Sequence, residues 1–421
     1  MKKNIYILQN SNLSFDMDIS QMYAPEKYSL FIIINKFSLD KLTQRKQDHY
    51  FDKIWLTENF DFASLREIII NNQASQNLPL QIVTNAEEAI IVCGNLRVYF
   101  NIDPVNYDRF KDKLIMKELL NKHDLLTPKH VVFNKKEYND NPRRYINHIT
   151  NTLTFPLIAK PIDAMGCNEI EKLDTLDELS KWCSKTITSN SNFEIDEFIE
   201  GKVYNCDSYI KNGKIVFTQV SACSNSCYDF ICGLTKGTIS LPHHDPIYKH
   251  LCEYTIQIHD AIGIPLGGVT HLEAILTNDN EIYFIEIGHR SPGILIPAMY
   301  KKFLNISTIE SHILLQIDDD YELSVNHGAY SAWVAFPIAK GKLNEIHTPI
   351  IQSNYEIEWS KRIGDIMTNP TNGRDYVGRL LLWNDDYQKL KNDFDYLNTY
   401  QFYTVDNHSI STQCHGLTEY V

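Results

Sequence analysis

Two glutamates on a predicted β-hairpin could together hold a metal ion. Glu273 ends the apolar run Gly267-Gly-Val-Thr-His-Leu-Glu273, and Glu286 lies in Ile282-Tyr-Phe-Ile-Glu-Ile287, beyond a turn at Asn278-Asp-Asn280. Carboxylates that face each other across paired strands repel unless a cation lies between them. Such a pair suits Mg²⁺, whose other ligands are commonly phosphate oxygens. A surface hairpin with scattered charge explains these apolar strands less well.

Two lysines have contexts that suit phosphate binding. Lys113 lies near the start of a predicted helix, and Lys160 ends an apolar strand predicted over residues 155–161. The loop Ile162-Asp-Ala-Met-Gly-Cys167 follows Lys160, so we expect its ammonium to face phosphate rather than a structural partner. Each lysine taken alone is more simply explained as a solvated surface residue, because such lysines are common.

An acidic segment and an arginine complete the candidate site. In Phe193-Glu-Ile-Asp-Glu-Phe-Ile-Glu-Gly201, acidic side chains could hold an adenine amino group while the backbone reads the base edge. An edge strand protected by charge is the alternative, and it is favoured when this segment is taken alone. Arg290, in His289-Arg-Ser-Pro-Gly293, could hold a phosphoryl group or a developing oxyanion.

The elements that must position these residues can be read from the alternation of apolar and polar segments. Before residue 108, short apolar runs alternate with helix-like stretches such as residues 62–72, which predicts an open parallel α/β sheet. A Gly-x-Gly-x-x-Gly turn is absent after the first strand, so no dinucleotide fingerprint is expected there. The predicted strands cover residues 5–8, 30–34, 54–56, 82–84 and 89–92.

Later segments predict a helix, a hairpin and a loop. Residues 108–123 have apolar side chains at helical spacing. Strands over 204–210 and 214–220 would form a hairpin that turns at Asn212-Gly213. Residues 221–235, rich in Ser, Gly and Cys, predict a loop.

Composition excludes several classes of protein. The 421 residues are 43% hydrophobic and 22% charged, which argues against a disordered or fibrous chain. A net charge of -13 and the lack of a long basic stretch argue against a nucleic-acid partner. Since no apolar run approaches the roughly 20 residues that span a bilayer, no membrane partner is expected. Nine cysteines at irregular spacings fit reduced thiols, and we expect a cytoplasmic protein.

Taken in order, these segments resemble the ATP-grasp superfamily over roughly residues 105–300. The local sequences Thr270-His-Leu-Glu273 and Glu286-Ile-Gly-His-Arg290 narrow the resemblance to carboxylate–amine ligases of the L-amino acid ligase type, which make dipeptides. The resemblance implies an α/β and α+β fold with three parts. These are an N-terminal open parallel α/β domain over residues 1–108, a small central lid over 109–205 and a larger C-terminal antiparallel-sheet domain over 206–421.

The resemblance also implies a role for each candidate residue. Val203 and Gly288 depart from the family, which often has an acidic ribose ligand and an Asn metal ligand at these positions. Asp207 is the candidate substitute for the ribose contact. The remaining assignments are phosphate binding by Lys113 and Lys160; closure of the loop 164–167 with Gly166; adenine contact by Asp196, Glu197 and Ile199; Mg²⁺ binding by Glu273 and Glu286; catalysis by Arg290; and substrate binding by His271, Arg290 and Gly293.

The implied function is ATP-dependent joining of two L-amino acids through an acyl phosphate, with ATP and Mg²⁺ as cofactors. A homodimer is expected from the family alone. One alternative is an ATP-grasp ligase that acts on another substrate, such as a peptide or an antibiotic precursor. Another is a nucleotide-binding protein that has lost catalysis, although such a protein would have no reason to keep facing carboxylates.

Overall fold

The N-terminal part is a four-stranded parallel sheet flanked by helices, which confirms the predicted open α/β arrangement. The computed structural model describes residues 2–12, 15–73, 78–163, 166 and 168–406. The strand order is β3-β2-β1-β4, and all pairs are parallel. The elements are β1 Lys3–Gln9, β2 Tyr28–Ile34, α1 Lys36–Gln44, β3 Lys53–Leu56, α2 Phe62–Gln73, β4 Leu80–Val83 and α3 Ile90–Tyr99.

The strand predicted over residues 89–92 is wrong, because these residues begin α3. A short apolar run fits a buried strand and a buried helix equally well, and only length separates the two. Here the run continues to Tyr99, and its buried side chains Cys93 and Leu96 pack on the sheet with Tyr6 and Ile82. The segment therefore covers one face of the sheet instead of adding a strand to it.

The central lid is a second small sheet with its own core. Its order is β5-β8-β6-β7, all antiparallel. Phe133 and Trp182 are buried in this core, and a Thr175–Glu178 capping box begins α7. The elements are α4 Lys113–Asn121, β5 His130–Val132, α5 Lys135–Asp140, α6 Pro142–Thr152, β6 Leu157–Pro161, β7 Glu171–Leu173, α7 Leu176–Thr186 and β8 Phe193–Glu197.

An eight-stranded antiparallel sheet forms the largest part of the molecule, in the order β13-β12-β9-β10-β11-β14-β18-β16. A three-stranded sheet, β17-β15-β19, lies beside it. The elements are β9 Lys202–Lys211, β10 Lys214–Cys223, α8 Cys227–Ile231, β11 Lys236–Ser240, α9 Pro246–Ile262, β12 Gly267–Leu276, β13 Ile282–Gly288, α10 Ile296–Leu304, α11 Thr308–Ile317, β14 Tyr330–Pro337, β15 Gly341–Ile346, β16 Asn354–Trp359, β17 Ile366–Met367, β18 Tyr376–Asn384, α12 Tyr387–Leu397 and β19 Tyr403–Val405.

The predicted hairpin is confirmed, whereas the predicted loop is only partly right. Asn212 and Gly213 both have positive φ, as a tight two-residue hairpin turn requires, and they join β9 to β10. The stretch 221–235 instead contains the end of β10 and the short helix α8, which Ser226 begins with a capping box. The capping box pairs residues that are close in sequence. The burial of Phe230, by contrast, depends on packing against residues that are far away in the chain.

The domain boundaries at residues 108 and 205 stay predictions, and β9 spans the second of them. In the described ranges, no helix is both long and apolar enough to cross a bilayer.

Candidate active site

One cavity of about 840 Å³ lies between the lid, the central sheet and loops of the N-terminal part. It gathers eleven of the twelve candidate residues, although some come from the lid and the others from the C-terminal part. The exception is Asp207, which is fully buried in β9 behind the cavity wall. The candidate residues that line the cavity are Lys113, Lys160, Gly166, Asp196, Glu197, Ile199, His271, Glu273, Glu286, Arg290 and Gly293.

The register of three neighbouring strands sets two rows of side chains across the cavity floor. In one row, Asn205 on β9 lies opposite Glu273 on β12, which lies opposite Glu286 on β13. The two glutamates therefore face each other, as the hairpin pattern predicts. In the next row, His271 lies between Asp207 and Gly288.

His271 is held as an imidazolium between two carboxylates. Its Nδ1 lies 2.7 Å from Asp207 Oδ1, and its Nε2 lies 3.5 Å from Glu273 Oε1. Burial acts to lower the pKa of His271, but the two carboxylates outweigh burial and raise it to about 9. Tyr300 donates a hydrogen bond to Asp207 Oδ2 at 2.6 Å. Both carboxylate oxygens of Asp207 therefore already have partners in the protein. We infer that Asp207 supports His271 and does not contact the ribose.

The acidity of Glu273 follows from the same contacts. Burial alone would raise its pKa, but the hydrogen bond and charge of His271, with the charges of Lys236 and Arg290, lower the pKa of Glu273 to about 2. Glu273 is therefore an anion at any physiological pH. An anionic oxygen that lines a cavity can bind a hard cation.

Glu286 forms an ion pair with the first predicted lysine. Lys113 Nζ lies 3.0 Å from Glu286 Oε2. Lys113 is the first residue of α4, and its place is fixed by Asp112, whose side chain accepts hydrogen bonds from the Leu114 and Ile115 amides. The lysine and the two glutamates thus meet at one end of the cavity.

The two facing glutamates fit Mg²⁺ that arrives with a nucleotide. Within the described ranges, no group of three or more His, Cys, Asp or Glu side chains is arranged to hold a metal ion. Mg²⁺ does not need such a cage, since it typically binds one or two carboxylates together with phosphates and water. Glu273 and Glu286 supply that number of carboxylates.

Lys160 has structural partners, so the expectation that its ammonium faces only phosphate is wrong. Its Nζ lies 2.9 Å from Asp196 Oδ2 and 3.5 Å from Glu194 Oε1. Lys117, which sequence reasoning missed, reaches the same two carboxylates from α4 at 2.7 and 2.8 Å. Burial would lower the pKa of Lys160, but the two carboxylates raise it above its usual value. Lys160 is therefore a fixed positive charge at the cavity wall.

The same ion pairs engage the Asp196 carboxylate, which the sequence analysis assigned to contact with adenine. Its carboxylate is buried between the two ammonium groups, which hold its pKa below the usual value against the effect of burial. Adenine contact by the Asp196 side chain stays a prediction without further support. Glu197 and Ile199, by contrast, line the part of the cavity that is mostly apolar. The Glu197 side chain also accepts a hydrogen bond from the Thr154 amide. The apolar residues that line the cavity include Ile158, Phe198, Ile199, Val203, Ile275 and Ile285.

Gly166 connects the lid to a loop of the C-terminal part. The Gly373 amide donates a hydrogen bond to the Gly166 carbonyl at 3.0 Å. Gly166 has a φ of +66°, which glycine adopts without strain. The other predicted loop residues, Ala164, Met165 and Cys167, lie outside the described residues.

Arg290 lines the cavity and is held by a carboxylate of the N-terminal part. Its Nε donates to Glu87 Oε2 at 2.7 Å, and Lys111 lies 2.8 Å from the other Glu87 oxygen. Burial would raise the pKa of Glu87, but these two cations lower it to about 2. Gly293 follows in the same loop, where an added Cβ would meet no atom within 4 Å. A substrate group can therefore approach the backbone there.

Sequence reasoning missed four residues of the site, and two of them had a local signal. Lys117 lies four residues after Lys113, on the same face of a helix. Asn205 alternates with Asp207, on the same face of a strand. Glu87 and Arg374 come from loops far away in sequence, and no local pattern relates them to the other residues.

The chain resembles known ATP-dependent ligases. Residues 119–317 match the family described as D-ala D-ala ligase C-terminus. An L-arginine-specific L-amino acid ligase from Bacillus subtilis is 28% identical over 296 residues, which is 67% of this chain and 67% of that protein.

Solved structures show the same fold over nearly the whole chain. An L-amino acid ligase from Bacillus licheniformis has a TM-score of 0.69 at 16% identity, covering 97% of this chain and 99% of that one. The biotin carboxylase domain of the Hydrogenobacter thermophilus 2-oxoglutarate carboxylase, in complex with MgADP, ADP and bicarbonate, has a TM-score of 0.60 at 13% identity, covering 94% and 90%. Both confirm the predicted fold class. The chain is therefore similar to D-alanine–D-alanine ligases over residues 119–317 and to L-amino acid ligases over a larger part of its length, and it has their fold.

Proposed function

We propose that the protein joins two L-amino acids into a dipeptide, with ATP converted to ADP and phosphate through an acyl phosphate. The observation that carries the proposal is the pair Glu273 and Glu286, facing each other in one cavity with Lys113, Lys160 and Arg290. Three cations and two carboxylates in a cavity that also has an apolar wall suit a nucleoside triphosphate with its metal.

In the first step, a substrate carboxylate attacks the γ-phosphate of ATP. Lys113 and Lys160 neutralise phosphate charge, and the apolar lining around Ile199 receives the base. Glu273 and Glu286 would hold Mg²⁺, which would supply further charge neutralisation at the phosphates. Little covalent chemistry is left for the protein, because phosphoryl transfer depends mainly on positioning and charge.

In the second step, an amine attacks the acyl carbon and phosphate leaves. Arg290, fixed by Glu87, can stabilise the oxyanion that develops on that carbon. His271 is not the base that accepts the amine proton, because it is already protonated near neutral pH. Its predicted place beside the amino acid is supported only by its position on the cavity wall.

The test is ADP release measured over pairs of amino acids, with mass spectrometry of the products. Arginine should be included first, because the name of the Bacillus subtilis relative states specificity for it. We expect ADP to form only when amino acids are present, with an equal amount of a dipeptide. Formation of ADP with a peptide or another acid, and not with amino acids, would favour the alternative ligase. A homodimer and a cytoplasmic location stay predictions.

A further inference from the structure

A buried carboxylate at the N-terminal end of the cavity has no cationic partner among the residues that the structure describes. Glu310, on α11, is 7% exposed and lines the cavity. Its Oε1 accepts a hydrogen bond from the Asp18 amide at 2.7 Å. In the part of the chain that the structure describes, no Lys, Arg or His side chain forms an ion pair with Glu310.

Arg45 favours the charged form of Glu310 from a distance, but its guanidinium binds another group. Arg45 stabilises the carboxylate only weakly, and its Nη1 donates to the Phe15 carbonyl at 2.9 Å. Burial therefore prevails and raises the pKa of Glu310. A buried carboxylate is costly unless a cation pairs with it, and cavities that keep such a group commonly receive the cation from a ligand.

Other acidic residues add to the negative charge at this end of the cavity. Asp16, Asp18 and Glu88 line it with Glu310. Arg374 also lines it and is influenced by Glu88 and Asp16, but it forms no ion pair among the described residues. This end therefore offers one guanidinium that can take a carboxylate, and a buried carboxylate that can take a cation.

Resting on the ligase function proposed above, we infer that one of the two amino acids carries a cationic side chain and that Glu310 pairs with it. Arg374 then takes the carboxylate of an amino acid in the same part of the cavity. The recognised group is a guanidinium or an ammonium, since both donate hydrogen bonds to a carboxylate.

The first experiment compares cationic amino acids with neutral ones of the same shape, using the unmodified protein. ADP release is measured with arginine against citrulline and with lysine against norleucine, each with alanine as the second amino acid. We expect kcat/KM to favour the cationic member of at least one pair by about tenfold to a hundredfold, as expected for a hydrogen bond to a charged group. The pair that shows the preference identifies guanidinium or ammonium.

The second experiment changes the carboxylate. Glu310→Gln keeps an oxygen that can accept the Asp18 amide, so the fold should be retained. We expect the preference for the cationic amino acid to disappear while turnover of neutral amino acids is kept. Glu322→Gln, which changes an exposed glutamate after the same helix, is the matched control and should keep the preference.

The outcomes separate this inference from the ligase function. Amino-acid-dependent ADP release without preference for a cation overturns the inference alone, and so does a preference that survives in Glu310→Gln. If no amino acid supports ADP release, the ligase function fails. Calorimetric titration of arginine against citrulline and of lysine against norleucine then shows whether the cavity binds the cation, and equal binding within both pairs overturns the inference as well.

Discussion

The anionic state of Glu273 depends on contacts that begin at His271 on the cavity wall and continue to Asp207 and Tyr300, which do not line the cavity. Glu273 contacts His271, His271 contacts Asp207, and Tyr300 donates to Asp207. His271 is thus a positioning residue for a proposed metal ligand. The contribution of this chain of contacts to stability has a definite pH dependence.

We predict that the imidazolium of His271 stabilises the fold below about pH 6.5 and ceases to do so as the pH rises through 9. The sign follows from a folded pKa of about 9, above the ordinary value of 6.5. The variant His271→Gln should therefore be less stable than the unmodified protein at pH 6, by at most about 3 kcal/mol. Denaturant unfolding at several pH values measures the difference. A difference that stays constant from pH 6 to pH 9.5 would contradict the prediction.

Glu286 gives a prediction about metal dependence. Glu286→Gln removes one anionic oxygen without changing the shape of the side chain, so we expect turnover to fall by about a hundredfold or more and the Mg²⁺ requirement to rise. Titration of ADP release with Mg²⁺ tests this. Glu281→Gln, at the exposed turn of the same hairpin, is the control. If Glu286→Gln is as active as the unmodified protein at low Mg²⁺, Glu286 is not a metal ligand.

At the scale of elements, the connection from β8 to β9 brings the lid against the central sheet. It contains Glu200-Gly201, and Gly201 lies so close to β12 that an added Cβ would be 2.5 Å from Ile275 Cγ2 and 2.6 Å from the Leu276 carbonyl oxygen. Ile275 also lines the cavity. The need for glycine here arises from close packing, since Gly201 does not have a positive φ.

We predict that Gly201→Ala lowers the free energy of unfolding by about 1–3 kcal/mol, because backbone and side-chain atoms of β12 must move to admit a methyl group. Chemical denaturation followed by circular dichroism measures the change. Gly293→Ala, where a Cβ meets no atom within 4 Å, is the control for stability. If the two variants are equally stable, the connection between β8 and β9 accommodates a methyl group at Gly201 without loss of stability.

At the scale of the whole molecule, the cavity exists only if the N-terminal sheet stays joined to the central sheet. His312 on α11 makes this junction. Its Nδ1 accepts the Val269 amide of β12 at 2.8 Å, and its Nε2 donates to the Thr84 carbonyl after β4 at 2.8 Å. Burial lowers the pKa of His312 to about 4, so it is neutral near pH 7.

We predict that His312→Leu destabilises the protein by about 2–4 kcal/mol at pH 7.5, because two buried backbone groups lose their partners. The contribution of His312 to stability should decrease as the pH falls from 6.5 toward 4, since the unfolded chain binds a proton on this histidine in that range and the folded protein does not. The difference in free energy of unfolding between the unmodified protein and His312→Leu should therefore be smaller at pH 4.5 than at pH 7.5. Thermal unfolding at both pH values measures it, with exposed His244→Leu as the control. A gap of the same size at both pH values would contradict this account.

Local sequence patterns were enough to predict most of the strands, the hairpins and most residues of the site. Alternation of apolar residues placed Glu273 and Glu286 on paired strands, and Asn212-Gly213 specified a tight turn. These signals are local, because side chains alternate along a strand and turns need particular φ values. A motif read in this way identifies a residue that can do chemistry, but it does not identify the partners of that residue.

Which charges neutralise one another follows from the three-dimensional arrangement of the chain and not from local sequence patterns. That arrangement placed Asp207 behind His271, paired Lys160 with Asp196, and brought Glu87 to Arg290 across the junction of two sheets. It also placed Glu310 at the cavity with no ion-pair partner in the described part of the chain. Coulomb interactions depend on distance in space and on burial, and neither quantity is encoded by spacing along the chain.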